Sequence, residues 1–199
     1  MLNDRSSALS LLRTRRSGRP RDIVAPGPDV TQLREIIAIA SRVPDHGKLA
    51  PWRFVEITAA DRAAFGDLLH RAYRIGNPAP SRLELEGIDR FATQAPALIV
   101  AIFSPRAGKI PIWEQQLSCG AACMNLLHGA HALGFAGGWI TGWAAYSDAV
   151  REAFCHGEEC IAGFLFIGTP SLPLEERPRP DPDFILSVWS PPTDGHHPA

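Results

Sequence analysis

The sequence predicts one sheet with helices on both faces, an α+β or α/β sandwich, and three observations carry that expectation. Strand-like and helix-like segments alternate along the chain. The run Ala97 to Phe103 is almost continuously apolar and short, the pattern of a strand covered on both faces. Ile112 to about Leu133 is the longest helical run, rich in Ala and Leu.

The elements follow in order. Asp29 or Thr31 can cap a helix whose Leu33, Ile36, Ile37 and Ala40 form one apolar stripe, and Pro44 closes it. Trp52 to Ile57 is rich in β-favouring residues and reads as a strand. Asp61 to about Tyr73 is helical again, Gly76 to Pro80 is a breaker cluster and loop, and Leu83 to Thr93 is an amphipathic or irregular connection. In the long helix Ser118, Gly120, Ala121 and Ala122 permit close contact, which suits a core or dimer helix. Phe135 to Thr141 turns through glycines into a strand, Ser147 caps a short helix to Phe154, and Cys160 to Ile167 is the last apolar strand. From Leu172 prolines and charges dominate, so an irregular tail is expected, with Asp194 to Ala199 disordered.

At 199 residues the chain fits one domain with a sizeable core. We place that domain at 1–175 and a proline-rich tail, suited to wrapping a partner subunit, at 176–199. Twenty Lys and Arg against 21 Asp and Glu leave a net charge of -1, which points neither to nucleic acid nor to an anionic membrane. No apolar run is long enough to suggest a membrane span. Four cysteines without close pairing argue against a disulfide framework, and a reducing cytoplasm is the plain reading. Residues 1–21 carry several Arg and Ser and a single acid, Asp4, the composition of a transit peptide. A first helix with Leu9, Leu11 and Leu12 packing is the preferred reading.

Arg15, Arg16 and Ser17 put two planar donors and a hydroxyl side by side, which suits a phosphate. They equally suit a solvated basic helix end. Arg42 and His46 add a second cation and an imidazole near a proline-punctuated strand entry, with Asp45 placed to orient His46 or to cap the turn. Cys119, Cys123, His128 and His131 share a helix, but the five-residue step from 123 to 128 rotates the pairs apart, so no metal is expected. There is no Gly-x-Gly-x-x-Gly after a strand, no Walker sequence, no Gly-x-Ser-x-Gly and no His-Glu-x-x-His.

Taken in order, Arg15-Arg16-Ser17, Arg42 to His46, Pro51-Trp52-Arg53-Phe54, Trp113-Glu114-Gln115, Gly134-Phe135 with Gly137-Gly138-Trp139, and Gly163-Phe164-Leu165 before Gly168-Thr169-Pro170 resemble the FMN-dependent nitroreductase family. The match is to its short single-domain branch, over about Leu9 to Pro170. The resemblance implies a nitroreductase-like α+β fold, with a central mixed sheet flanked by helices, assembled as an intertwined homodimer. It implies FMN at the subunit interface and NAD(P)H as electron donor. Arg15, Arg16 and Ser17 would hold the phosphate and ribityl chain, and Arg42 and His46 would reach the partner's flavin. Trp139, Ile140 and Thr141 would border the ring, with Gly168 nearby. Arg19 lies where some relatives place another basic contact, and some carry arginine at the position of Ile140. The implied activity is ping-pong reduction of nitroaromatics, quinones or similar acceptors, nucleotide and acceptor using one cavity in turn. A flavin-binding sensor or store with little turnover would carry the same motifs.

Overall fold

The computed structural model describes residues 1–191. The expectation for Asp194 to Ala199 lies outside them. The chain runs α1 (Ala8–Thr14), β1 (Ile23–Val24), α2 (Val30–Ala40), β2 (Trp52–Glu56), α3 (Arg62–Gly76), α4 (Arg82–Thr93), β3 (Ala97–Phe103), α5 (Ile112–Ala132), β4 (Ala136–Ile140), α6 (Asp148–Phe154), β5 (Cys160–Pro170) and the single turn α7 (Pro182–Ile185).

Local chemistry sets several boundaries. Asp29 caps α2, accepting from the Gln32 amide while the Gln32 side chain accepts from the Asp29 amide. Ser81 and Glu84 make the same reciprocal box at α4, so the stretch expected to be amphipathic or irregular is a regular helix. Arg62 is buried because its guanidinium donates to the carbonyls of Ile57 and Ala92 at 2.9 and 3.0 Å, tying the end of α4 to the end of β2.

The sheet has β5 at its centre. Over residues 164–167 β5 pairs with β3 on one edge and β4 on the other, β2 lies outside β3, and β1 pairs with the far end of β5 through Ile23↔Pro170 and Val24↔Thr169. Among the described residues every pairing is antiparallel, so the sheet within one chain is antiparallel rather than mixed. Two helices in series, α3 and α4, return the chain between β2 and β3, and β5 inserts between β3 and β4, the one pair joined by a single long helix.

Both faces of β3 are covered. Leu98, Val100 and Ile102 pack with Phe164 and Phe166 against α3, α4 and α6; Ile99, Ala101 and Phe103 pack with Leu165 and Ile167 against α2 and α5. Arg53 and Glu159 form a bidentate pair at 2.9 and 2.6 Å joining β2 to the start of β5, and that guanidinium holds the Glu159 carboxyl down at about 2. No helix among the described residues is long and apolar enough to cross a membrane.

Candidate functional site

The arginine segment leaves α1 in an extended conformation and is laid along β4 by backbone contacts. The Asn3 side chain satisfies both main-chain groups of Arg16: its Oδ1 accepts from the Arg16 amide at 2.7 Å and its Nδ2 donates to the Arg16 carbonyl at 3.2 Å. Two residues on, the Gly18 amide donates to the Gly137 carbonyl at 3.0 Å. A Cβ on Gly138 would lie 2.6 Å from the Gly18 carbonyl oxygen, so the absence of a side chain there is what admits the segment. Thus the fold brings the first and third predicted clusters together, Arg15 to Ser17 against the strand that ends in Trp139 and Ile140.

Arg15 is half-buried and its Nη1 donates to Ser17 Oγ at 3.2 Å. Burial lowers its pKa first, followed by repulsion from Arg179, Arg16 and Arg177, with Glu176 the opposing charge. A cation among cations, with planar donors beside a hydroxyl, has donor chemistry suited to an anion. The adjoining cleft of about 350 Å³ has Arg16, Ser17, Gly18 and Arg19 on one side and residues 172–175 on the other. These residues fit the phosphate end of a nucleotide.

Beneath the segment lies the end of α5. His131 is fully buried and neither ring nitrogen has a hydrogen-bond partner. Burial, then Arg15 and His128, push it down to about 4, so the ring is neutral near pH 7; the Gly137 carbonyl resists that shift. His128 is pushed down by burial and by Arg15.

At the other end of β4, Trp139 is 37% exposed and its Nε1 donates to the Ala162 carbonyl at 3.0 Å. The indole covers Gly163, where φ is +150° and a Cβ would lie 2.1 Å from Nε1, so this position needs glycine twice over. Ile140 packs its side chain on the α3–α4 core, and Thr141 is half-buried. Gly168 has a packing role: a Cβ there would be 2.6 Å from Pro96 and 2.8 Å from Ile23.

Arg42 and His46 sit elsewhere, on a loop fastened to α5. Asn125 Nδ2 donates to the Ile39 and Arg42 carbonyls, Ser118 Oγ to the Pro44 carbonyl, and His46 Nδ1 pairs with Glu114 Oε2 at 2.7 Å. Asp45 caps the turn, accepting from the Leu49 and Ala50 amides; the residue that orients His46 is Glu114. Neither Arg42 nor His46 lines the arginine cleft of its own chain. Cys119 and Cys123 lie in the α5 core, and no group of three or more His, Cys, Asp or Glu converges among the described residues.

The class of protein defined so far is a two-sided helix–sheet–helix domain with a cationic cleft beside a glycine-rich strand. The Nitroreductase family model matches residues 12–169. The Escherichia coli (strain K12) protein named "Putative NAD(P)H nitroreductase YdjA" is 35% identical over 167 residues, 83% of this chain and 89% of its own. The chain belongs to the Nitroreductase family. In three dimensions it resembles a nitroreductase-like family protein from Bacillus cereus, with TM-score 0.78 and 19% identity over 92% of this chain and 96% of that one. It also resembles the FMN and NADPH-dependent nitroreductase NfnB from Sphigopyxis sp. strain HMH, with TM-score 0.71 and 20% identity over 92% and 99%.

Proposed function

We propose that the chain is an FMN-dependent oxidoreductase that takes hydride from NAD(P)H and passes it to nitroaromatics, quinones or similar conjugated acceptors. The observation that carries this is the Arg15–Arg16–Ser17 segment laid along β4 as a partly buried, cation-rich anion site, in a chain of the Nitroreductase family. Bound FMN supplies the hydride chemistry, so the protein needs no nucleophile of its own. Arg15 and Arg16 hold the phosphate, and the Ser17 hydroxyl, already paired with Arg15, is available to the phosphate or the ribityl chain. Trp139, fixed by its bond to Ala162, and Thr141 border the ring, while Ile140 contributes backbone because its side chain is committed to the core. Gly168 keeps the strand beneath them close to Pro96.

Arg42 and His46 act on the flavin of a second subunit. Their loop is on the outer side of α5, whose Trp113 and Leu117, one turn apart, are 66% and 55% exposed. The tail adds Phe184, Ile185, Leu186, Val188 and Trp189, each more than two-thirds exposed. Apolar surface on this scale is the mark of an interface, here an intertwined homodimer with the tail on its partner. All four cysteines are free, which suits the reducing cytoplasm we assign to it.

An anaerobic absorbance spectrum tests the reading. Flavin bands that bleach with NADPH or NADH and return with a quinone or nitroaromatic are expected. Bands that resist both nucleotides would leave a flavin-binding module, and a colourless protein that takes up no FMN would overturn the site.

A further inference from the structure

The segment that follows the sheet crosses the arginine cleft and takes up its donors. It is pinned at its start, where the Ser171 amide and hydroxyl donate to the Asp22 carbonyl at 2.8 and 2.9 Å. Four residues on, Glu175 makes two contacts with the arginine segment. Its carbonyl accepts from Arg16 Nε at 2.6 Å, and its carboxylate pairs with Arg19 Nη2 at 2.7 Å. Between the pins, residues 172–175 form the wall opposite Arg16 and Ser17.

These contacts have the chemistry of a phosphate contact, anionic or carbonyl oxygen on guanidinium N–H, but they are weakly held. The Arg19 and Glu175 side chains are 59% and 74% exposed, the regime in which an ion pair contributes little and is readily exchanged. The closed strap also brings Arg177 and Arg179 toward Arg15, a crowding of like charge that a dianion would relieve.

We infer that residues 171–176 form a clasp over the cofactor's phosphate end, with Glu175 an internal competitor that must exchange for phosphate before FMN seats. The inference rests on the reading of the cleft as the FMN phosphate site. A clasp of this kind lowers apparent affinity by the fraction of molecules that are open, so weakening it speeds loading.

The test uses the full-length chain stripped of flavin and mixed with FMN, following quenching of flavin fluorescence. Glu175→Gln keeps the side chain's size and removes its charge. Association is expected to quicken about three- to five-fold, the effect of releasing one exposed ion pair, with a matching fall in Kd. Backbone amide exchange over residues 174–177 of the flavin-free protein should quicken as well. Slower or weaker FMN binding would make Glu175 a support of the site and overturn the clasp. So would unchanged association with unchanged exchange. Arg16→Ala separates the two levels: loss of FMN there with no effect of Glu175→Gln removes the clasp and leaves the phosphate site standing. A wild-type chain that takes up no FMN removes both.

Discussion

Gly18 and Gly137 are joined by a 3.0 Å amide-to-carbonyl hydrogen bond, and this contact turns a basic stretch after a short helix into one wall of a cleft. It depends on the next glycine. A methyl group on Gly138 would meet the Gly18 carbonyl oxygen at 2.6 Å, a backbone atom that cannot rotate away. Gly138→Ala is therefore expected to push the arginine segment off β4. The overpacking should cost about 1–3 kcal/mol, read as a lower urea midpoint, and FMN retention should fall with it. Unchanged stability and full flavin content would show that the segment has room to move.

The arginines themselves make the complementary case. Arg15 and Arg16 donate to Ser17 and Glu175, contacts that hold no core together. Arg15→Ala combined with Arg16→Ala is expected to release FMN while leaving the proposed dimer folded, checked by flavin absorbance and sedimentation. Truncating a charge-assisted donor costs about 1.5–3 kcal/mol, so the pair should weaken binding at least a hundredfold. Stoichiometric yellow flavin in the double variant would remove the phosphate assignment.

How much of this is readable in the chain depends on the range over which each residue acts. Local signals are readable: the Asp29 cap, the continuous apolar run of β3 and the length of α5 each depend on neighbours within a turn or a strand. The Ser81-x-x-Glu84 box was equally local, and it marks α4 as a helix in a stretch whose apolar pattern alone leaves the matter open. Long-range pairings are another matter. Nothing in the chain announces that His46 will meet Glu114, 68 positions away, or that Asn3 will hold Arg16, because any acid or amide on the right face would serve. The two-residue strand β1 is too short for a period of two to register. Gly168 shows the converse: the family resemblance suggests a ligand there, whereas its neighbours Pro96 and Ile23 give it a packing role of its own.

His131 makes stability depend on pH with a definite sign. Its folded value lies at about 4, below the ordinary 6.5, because burial, Arg15 and His128 all disfavour the imidazolium. As pH falls below 6.5 the unfolded chain takes up a proton that the folded ring refuses, so stability declines until about pH 4 and levels off there. The full effect of this one group is about 3 kcal/mol. His131→Leu, which also removes two unpartnered nitrogens, is expected to match the wild type or exceed it at pH 7 and to lose less stability toward pH 4.5. Urea melts at both pH values read the difference. Parallel losses in the two proteins would place the acid sensitivity in other groups.

The exposed apolar tail gives the assembly its most direct test. Phe184, Ile185, Leu186, Val188 and Trp189 fall within six residues, and each is more than two-thirds exposed among the described residues of its own chain. Each side chain contributes about 1.5–3 kcal/mol when fully buried, from which the ordering of the tail must be subtracted. Ending the chain after Pro180 removes all five and touches none of the strand pairings, so the remaining domain should keep its sheet and its two core clusters. Sedimentation is expected to change from a dimer, twice the 21.6 kDa chain mass, to a monomer. FMN should be lost in the same step, because Arg42 and His46 would no longer reach a second subunit. Leu117→Glu, on the exposed stripe of α5, should weaken the dimer without shortening the chain. A truncated chain that sediments as a dimer and stays yellow would confine the interface to α5 and leave the tail without a part in it.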